Sequence, residues 1–99
     1  INEQDLPIRP GVDTACEMLG LDPLYLANEG KCIVIADAGH AETLLAVMQQ
    51  MDVGHDAAIL GTVTALDSEK SDGRVVMETA IGGKRIIGPL SGEPLPRIC

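Results

Sequence analysis

Two stretches of the chain repeat apolar residues at the spacing of an α-helix. In the first, apolar side chains recur at i, i+3, i+4 and i+7, at Val12, Ala15, Cys16 and Leu19. Pro10 suits the first position of that helix, and Gly20 suits its C-terminal end. In the second, the 3.6-residue period is kept by Ala41, Leu44, Leu45, Met48 and Met51, with Asp37 as the expected N-cap. The pattern predicts two amphipathic helices.

Outside these helices the pattern becomes that of β-strands. Residues 32–36 form an uninterrupted apolar run, which is typical of a strand buried on both faces. Residues 57–64 predict another strand, in which Gly61 marks a bulge or a close approach of another backbone. Residues 1–9 are at best an edge strand, because Pro7 has no amide hydrogen to donate.

The remaining strands complete the predicted fold. Residues 73–79 alternate between two faces, residues 82–83 make a turn, and residues 84–87 form a last short strand. This order predicts an α/β (α+β) fold class: a two-layer sandwich of a mixed β-sheet with two helices on one face and a flexible C-terminal tail. We expect residues 1–88 to form an α/β domain that is incomplete at its N-terminal side, and residues 89–99 to form the tail. A partner domain or a second copy should cover the other face of the sheet.

Composition narrows the range of functions. The 99 residues are 45% hydrophobic with a mean hydropathy of +0.18, so the chain should fold, and its net charge of −8 argues against binding nucleic acid or an anionic membrane surface. No apolar run approaches the ~20 residues of a membrane span. The three cysteines, Cys16, Cys32 and Cys99, are widely spaced, which disfavours both a disulfide framework and a zinc site. We therefore expect reduced thiols in a cytosol, with Cys16 and Cys32 as inert core residues.

The last residue of the chain, Cys99, is the first candidate for chemistry. It ends a stretch with prolines at positions 94 and 96, which favour an extended path. Such a tail can act as a swinging arm that carries a nucleophile, or it can be a disordered end that stops at Cys by chance. The adjacent terminal carboxylate disfavours the thiolate, so chemistry at Cys99 needs a second site that activates it.

Two turns are further candidates. Glu29 lies in Asn28-Glu29-Gly30-Lys31, where an ionised carboxylate can remove a proton, or can simply be solvated beside Lys31. Residues 82–85, Gly-Gly-Lys-Arg, can hold a phosphate through backbone amides, or can be a plain hairpin turn; they are not a P-loop. His40 and His55 have no partner at metal-ligand spacing, and we interpret them as surface residues.

Three stretches together resemble one family. They are the ending Pro94-Leu95-Pro96-Arg97-Ile98-Cys99, the segment from Leu21 to Lys31, and the segment from Thr79 to Ile87. In this order and spacing they resemble the HypE family of hydrogenase-maturation proteins, relatives of aminoimidazole ribonucleotide synthetase. The Pro-Arg-Ile-Cys ending is the specific part, whereas Asn-Glu-Gly-Lys is shared more widely among the ATP-using relatives.

The resemblance implies an activity for the full-length protein. Members of the family are expected to be cytoplasmic, homodimeric carbamoyl dehydratases that use ATP and Mg to make the cyanide ligands of the NiFe hydrogenase site. Cys99 would be carbamoylated by the carbamoyltransferase HypF and dehydrated to a thiocyanate, and the cyanide would pass to iron on the HypC–HypD complex. Glu29 would be the carboxylate near the dehydration site. The family's ATP-binding N-terminal domain, and the leading helical part of its C-terminal domain, would precede Ile1, so we expect no nucleotide or metal site in this piece and no activity from it alone.

Two other readings stay open. One is a noncatalytic interaction module whose terminal Cys99 docks to a partner or shares a metal with it. The other is an α/β fragment with an incidental cysteine. Carbamoylation of Cys99 would favour the dehydratase over the interaction module. Unchanged activity of the full-length protein after Cys99→Ala would support the incidental cysteine.

Overall fold

The computed structural model describes residues 1–66 and 73–89. Its elements are two α-helices, α1 (Pro10–Leu19) and α2 (Ala41–Gln49), two strands, β1 (Val75–Glu78) and β2 (Lys84–Ile87), and two 3-10 helices, Glu3–Asp5 and Pro23–Tyr25. They divide between two compact units. One unit contains Ile1–Pro7 and Ala38–Pro89, and the other contains Ile8–Asp37.

Helix α1 begins and ends as the sequence predicts. Pro10 is its first residue, where the missing amide hydrogen costs nothing. Gly20 follows its last residue with φ 67°, a left-handed conformation that suits glycine, and its amide donates to the carbonyls of Cys16 and Glu17. The side chain of Cys16 is buried, as predicted. The face is only partly covered, since Leu19 is 70% exposed.

After α1 the structure departs from the predicted strand. Asp22 caps the 3-10 helix Pro23–Tyr25 by accepting from the amide of Leu24 at 3.0 Å, and this short helix contacts α1. Residues 32–36 then belong to no strand of the described chain, and Ile33 is 84% exposed. Cys32 is also exposed, so the prediction of an inert core cysteine there is wrong. An apolar run encodes a preference for burial, but a strand also needs a neighbouring backbone to complete its hydrogen bonds.

Helix α2 confirms the second helical pattern, with a different start. His40, not Asp37, occupies the N-cap position, because a turn at residues 38–40 separates Asp37 from the helix. The residues at positions 41, 44, 45 and 48 are half-buried, and those between them are exposed. At the end of the helix, the side-chain amide of Gln49 donates to the carbonyl of Ala57 at 2.9 Å, which ties α2 to the next segment.

The sheet is a two-stranded antiparallel hairpin. β1 pairs with β2 so that Val75 lies opposite Ile87 and Glu78 opposite Lys84. Met77 is buried, with 1% of its surface exposed, as the alternation predicts for that face. This hairpin confirms the last two predicted strands and the turn between them.

The first two residues lie beside both β1 and the segment at residues 57–64. The amide of Asn2 donates to the carbonyl of Leu60, and the carbonyl of Ile1 accepts from the amide of Glu78, both at 2.9 Å. Asn2 and Glu78 form a parallel bridge, so parallel and antiparallel pairing both occur around β1. A Cβ atom on Gly61 would lie 2.7 Å from the Cα atom of Ile1, which confirms the predicted close approach. The edge-strand prediction for residues 1–9 is met only here, since the chain then turns into the 3-10 helix Glu3–Asp5.

The architecture is therefore a small mixture of α and β structure. Its described part contains two helices and a two-stranded antiparallel sheet, which confirms the mixed class. The segment at residues 57–64 runs beside Asn2 without being part of a regular strand. Among residues 1–66 and 73–89, no helix has the length and apolar character that crossing a membrane requires.

Candidate functional site

Cys99, the predicted carrier, lies outside the described residues, as does the rest of the sequence from position 90. The chain can be followed through β2 to Gly88 and Pro89. The structure therefore gives the point from which the C-terminal stretch continues, and the chemistry of Cys99 stays a prediction.

Glu29 lies on an exposed bend between the 3-10 helix Pro23–Tyr25 and the apolar run at residues 32–36. Gly30 has φ 76°, so the tight turn predicted for this motif is present and depends on glycine. The side-chain amide of Asn28 donates to the carbonyl of Leu26 at 3.0 Å, just before the bend in the sequence. In the part of the chain that the structure describes, Glu29 and Lys31 form no ion pair. The carboxylate is thus accessible to a substrate brought from elsewhere.

The turn between β1 and β2 uses its own backbone amides internally. The amide of Gly82 donates to the carbonyl of Thr79 at 2.9 Å, and the amide of Gly83 donates to the Thr79 hydroxyl at 2.9 Å. Thr79 in turn donates its amide to the carbonyl of Gly83 at 2.8 Å, and Gly82 has φ 84°. These amides already have partners within the turn, so they are not available to a phosphate. Of the two readings of residues 82–85, the structure favours the hairpin turn.

Sequence reasoning missed the contact that holds this turn to the rest of its unit. The amide of Ala80 donates to a carboxylate oxygen of Glu3 at 2.7 Å. The bond is charge-assisted and joins residues 77 positions apart. Asn2 places Glu3, because its side-chain oxygen accepts from the amide of Gln4 and starts the 3-10 helix. No local signal in the sequence identifies this pair, since the two residues lie in segments 77 positions apart.

The remaining candidates do not gather into a site. Nδ1 of His55 lies 2.8 Å from the carbonyl of Asp52, and Nε2 lies 3.1 Å from the carboxylate of Asp56, on an exposed turn. Within the two described ranges, no three His, Cys, Asp or Glu side chains cluster in a way that holds a metal ion. Glu29 belongs to one compact unit, whereas Glu3 and the hairpin belong to the other. We therefore do not assign them to one site.

Comparison with known proteins identifies the family. The C-terminal domain of AIR synthase related proteins matches the chain over residues 2–74. The chain belongs to this family. It is also 54% identical over 97 residues to carbamoyl dehydratase HypE of Azotobacter vinelandii, and 48% identical over 101 residues to carbamoyl dehydratase HypE of Cupriavidus necator. The resemblance to HypE is confirmed, although the chain spans only 27% of the length of either relative.

Solved structures of HypE proteins share this backbone. A crystal structure of hydrogenase maturation protein HypE matches all of this chain with a TM-score of 0.89 and 48% identity, and 32% of its own length is covered. A HypE structure in complex with ATP matches 95% of the chain with a TM-score of 0.85 and 44% identity, and is covered over 29%. A HypE–HypF complex matches 89% of the chain with a TM-score of 0.76 and 40% identity, and is covered over 27%.

The two kinds of match end at different places. The match to the AIR synthase related domain ends at residue 74, immediately before β1. The similarity to the Cupriavidus necator HypE covers the whole chain. The β1–β2 hairpin and the ending at Cys99 therefore lie in a part of this chain that resembles HypE beyond the general domain.

Proposed function

We propose that this chain is the C-terminal portion of an ATP-dependent carbamoyl dehydratase of NiFe-hydrogenase maturation, with Cys99 as its carrier. The observation that carries the proposal is the similarity of the whole chain to a relative named carbamoyl dehydratase HypE. The Pro-Arg-Ile-Cys ending of this chain, which resembles the ending of that family, supports it. Hydrogenase maturation requires cyanide as a metal ligand, and a thiol-bound carboxamide is a source of it once water is removed.

The chemistry proceeds in two steps on the Cys99 sulfur. In the first, a carbamoyl donor loses its leaving group as a bond forms between the sulfur and the carbamoyl carbon, and the thiol proton is released. In the second, the carboxamide loses the elements of water and becomes a thiocyanate. A carboxamide oxygen is a poor leaving group, and ATP supplies the phosphoryl group that makes it a good one, so the products are thiocyanate, ADP and phosphate.

Glu29 is our choice for the group that accepts a proton during the dehydration. Its carboxylate is exposed on a bend shaped by Gly30, and an exposed carboxylate can accept a proton from a carboxamide bound beside it. The glycine-rich turn at residues 82–83 uses its amides within the protein, so we do not assign the phosphates of ATP to it. ATP and Mg would bind to the remainder of the full-length protein, as the ATP complex of a HypE relative suggests.

The partners follow from the two steps. A carbamoyltransferase, HypF, would load Cys99, and the HypE–HypF complex of a relative supports this assignment. An iron-carrying HypC–HypD complex would receive the cyanide, and the full-length protein would be a homo-oligomer. A carrier thiol must remain reduced, so we place the reaction in the cytoplasm.

We infer that the hairpin is part of a larger mixed sheet, with residues 1–2 between β1 and residues 57–64. The parallel bridge from Asn2 to Glu78 and the hydrogen bond from Asn2 to Leu60 support this order.

The test is the intact mass of the full-length protein after incubation with the carbamoyltransferase, its carbamoyl donor and ATP. We expect a gain of one carbamoyl group on Cys99, followed by the loss of one water. Cys99→Ser should abolish both changes, whereas Cys32→Ser, which removes an exposed thiol elsewhere, should leave both intact. If an active transferase leaves Cys99 unmodified, the carrier role is wrong and the interaction module becomes the better function.

A further inference from the structure

The turn of the β1–β2 hairpin is held by several hydrogen bonds, and the dehydratase chemistry does not use it. Thr79 forms hydrogen bonds with both Gly82 and Gly83 across the turn. The carboxylate of Glu3, from outside the turn, accepts from the amide of Ala80. Four hydrogen bonds therefore fix a loop of five residues, residues 79–83. A turn fixed in this way presents its side chains in a single arrangement, which lowers the entropy cost of docking to a partner.

The side chains that the hairpin presents are mostly apolar. Ile81, at the tip of the turn, is 96% exposed. On one face of the strands Val76 lies opposite Ile86, and these are 40% and 57% exposed. We call Val76, Ile81, Lys84 and Ile86 the hairpin patch. Lys84 lies on the same face as Ile86, since the two are separated by one residue in β2.

The charge of the hairpin is opposite to that of the chain. Residues 74–87 contain three basic residues and one acidic residue, a net charge of +2, whereas the whole chain carries −8. Lys84 and Glu78 are paired at 3.6 Å, with side chains 71% and 64% exposed, so this ion pair is weak and leaves the ammonium accessible. An apolar surface with a basic edge is complementary to an apolar pocket with an acidic rim.

The location of the hairpin in the sequence favours a partner that acts on Cys99. β2 is separated from Cys99 by the 11 residues 88–98, so a protein held on the hairpin is within about 40 Å of the thiol. The hairpin also lies beyond the residues that match the AIR synthase related domain, in a part that is covered by the similarity to HypE. We propose that the hairpin patch is the docking surface for the carbamoyltransferase that loads Cys99. This inference rests on the proposed function.

The test measures carbamoylation of the full-length protein as a function of its concentration, with the transferase in catalytic amount. Ile81→Ser should raise the KM for the acceptor protein roughly tenfold and leave kcat unchanged, because it removes a contact made by the free acceptor and not by the reacting thiol. The matched control is Val53→Ser, which removes an aliphatic side chain that is 95% exposed on another turn of the same unit. The control should keep the wild-type KM.

The salt dependence of the KM provides a second and independent test. The KM of the wild type should rise with salt concentration, and Lys84→Gln should raise the KM at low salt and flatten that dependence. Dehydration of protein already carbamoylated on Cys99 should proceed at the wild-type rate in both variants, because the transferase has left.

Each alternative outcome contradicts the proposal. An unchanged KM in Ile81→Ser would show that the transferase docks elsewhere. A lower melting temperature in Ile81→Ser than in Val53→Ser would show that the rest of the chain covers the turn, and a change in oligomeric state would show that a second copy covers it. A wild-type protein that the transferase does not modify would remove the proposed function itself, which is a separate result.

Discussion

At the scale of single residues, Glu29 combines an accessible carboxylate with a turn that glycine makes possible. We predict that Glu29→Gln leaves the carbamoylation of Cys99 unchanged and slows the dehydration about 100-fold, because the amide cannot accept the proton. The measurement is the time course of intact mass after ATP is added to carbamoylated protein. Glu42→Gln, which neutralises an exposed carboxylate on α2, is the control. Dehydration at the wild-type rate in Glu29→Gln would exclude this role.

Gly61 matters because the backbone of Ile1 approaches it closely. A methyl group there would meet the Cα atom of Ile1 at 2.7 Å, beside the hydrogen bond from Asn2 to Leu60 that holds the two backbones together. We predict that Gly61→Ala destabilises the full-length protein by about 1–3 kcal/mol. The midpoint of urea unfolding measures this change.

Gly73→Ala is the control for that substitution, since its new methyl group meets nothing within 4 Å. Its unfolding midpoint should stay close to that of the wild type. Equal midpoints for Gly61→Ala and the wild type would mean that the two backbones do not approach each other in the full-length protein.

At the scale of elements, α1 depends on the conformation of the residue that ends it. Gly20 has φ 67° and open space around it, so the cost of Gly20→Ala is conformational, about 1 kcal/mol. Gly11→Ala makes the same change inside the helix, where the space is also open, and should stabilise α1 by up to about 1 kcal/mol. Hydrogen exchange of the α1 amides should therefore become faster in Gly20→Ala and slower in Gly11→Ala. The same direction of change in both would contradict this account of the helix end.

The hairpin shows which strands the pattern of apolar and polar residues can predict. Alternation and the two glycines predicted β1, β2 and the turn, because a two-stranded hairpin is a local structure whose partners are adjacent in sequence. The same reasoning gave a strand at residues 32–36, whose partner cannot be local, and the described chain contains no such strand.

At the scale of the whole molecule, the chain buries few side chains. In the parts that the structure describes, the buried apolar residues are Cys16 and Met77, while Ile33 and Ile35 are 84% and 79% exposed. Burial of an apolar side chain stabilises by about 1.5–3 kcal/mol, and ordering each residue costs about 1–2 kcal/mol. We predict that the 99-residue chain alone binds the dye ANS and melts without a cooperative transition.

The full-length protein is the comparison for that prediction, since it should exclude the dye and melt cooperatively. Circular dichroism and dye fluorescence over a temperature ramp measure both properties. A sharp transition without dye binding in the 99-residue chain would show that these residues suffice for a stable fold.

The sequence by itself determined the features that depend on neighbours in the chain. Both helices, the glycine that ends α1 and the hairpin follow from local hydrogen bonding and from the periodicity of apolar residues. The family also followed from the sequence, because short motifs keep their residues and order. Cys99 remains a prediction of the sequence alone.

Only the tertiary structure decided which distant groups meet. It joined Glu3 to Ala80, brought Ile1 against Gly61, and showed that Cys32 is exposed. It also showed that the amides of the glycine turn are already used, which the residues at positions 82 and 83 do not reveal. These outcomes depend on hydrogen bonds and contacts between segments far apart in the chain, and no local pattern specifies the partner of such a bond.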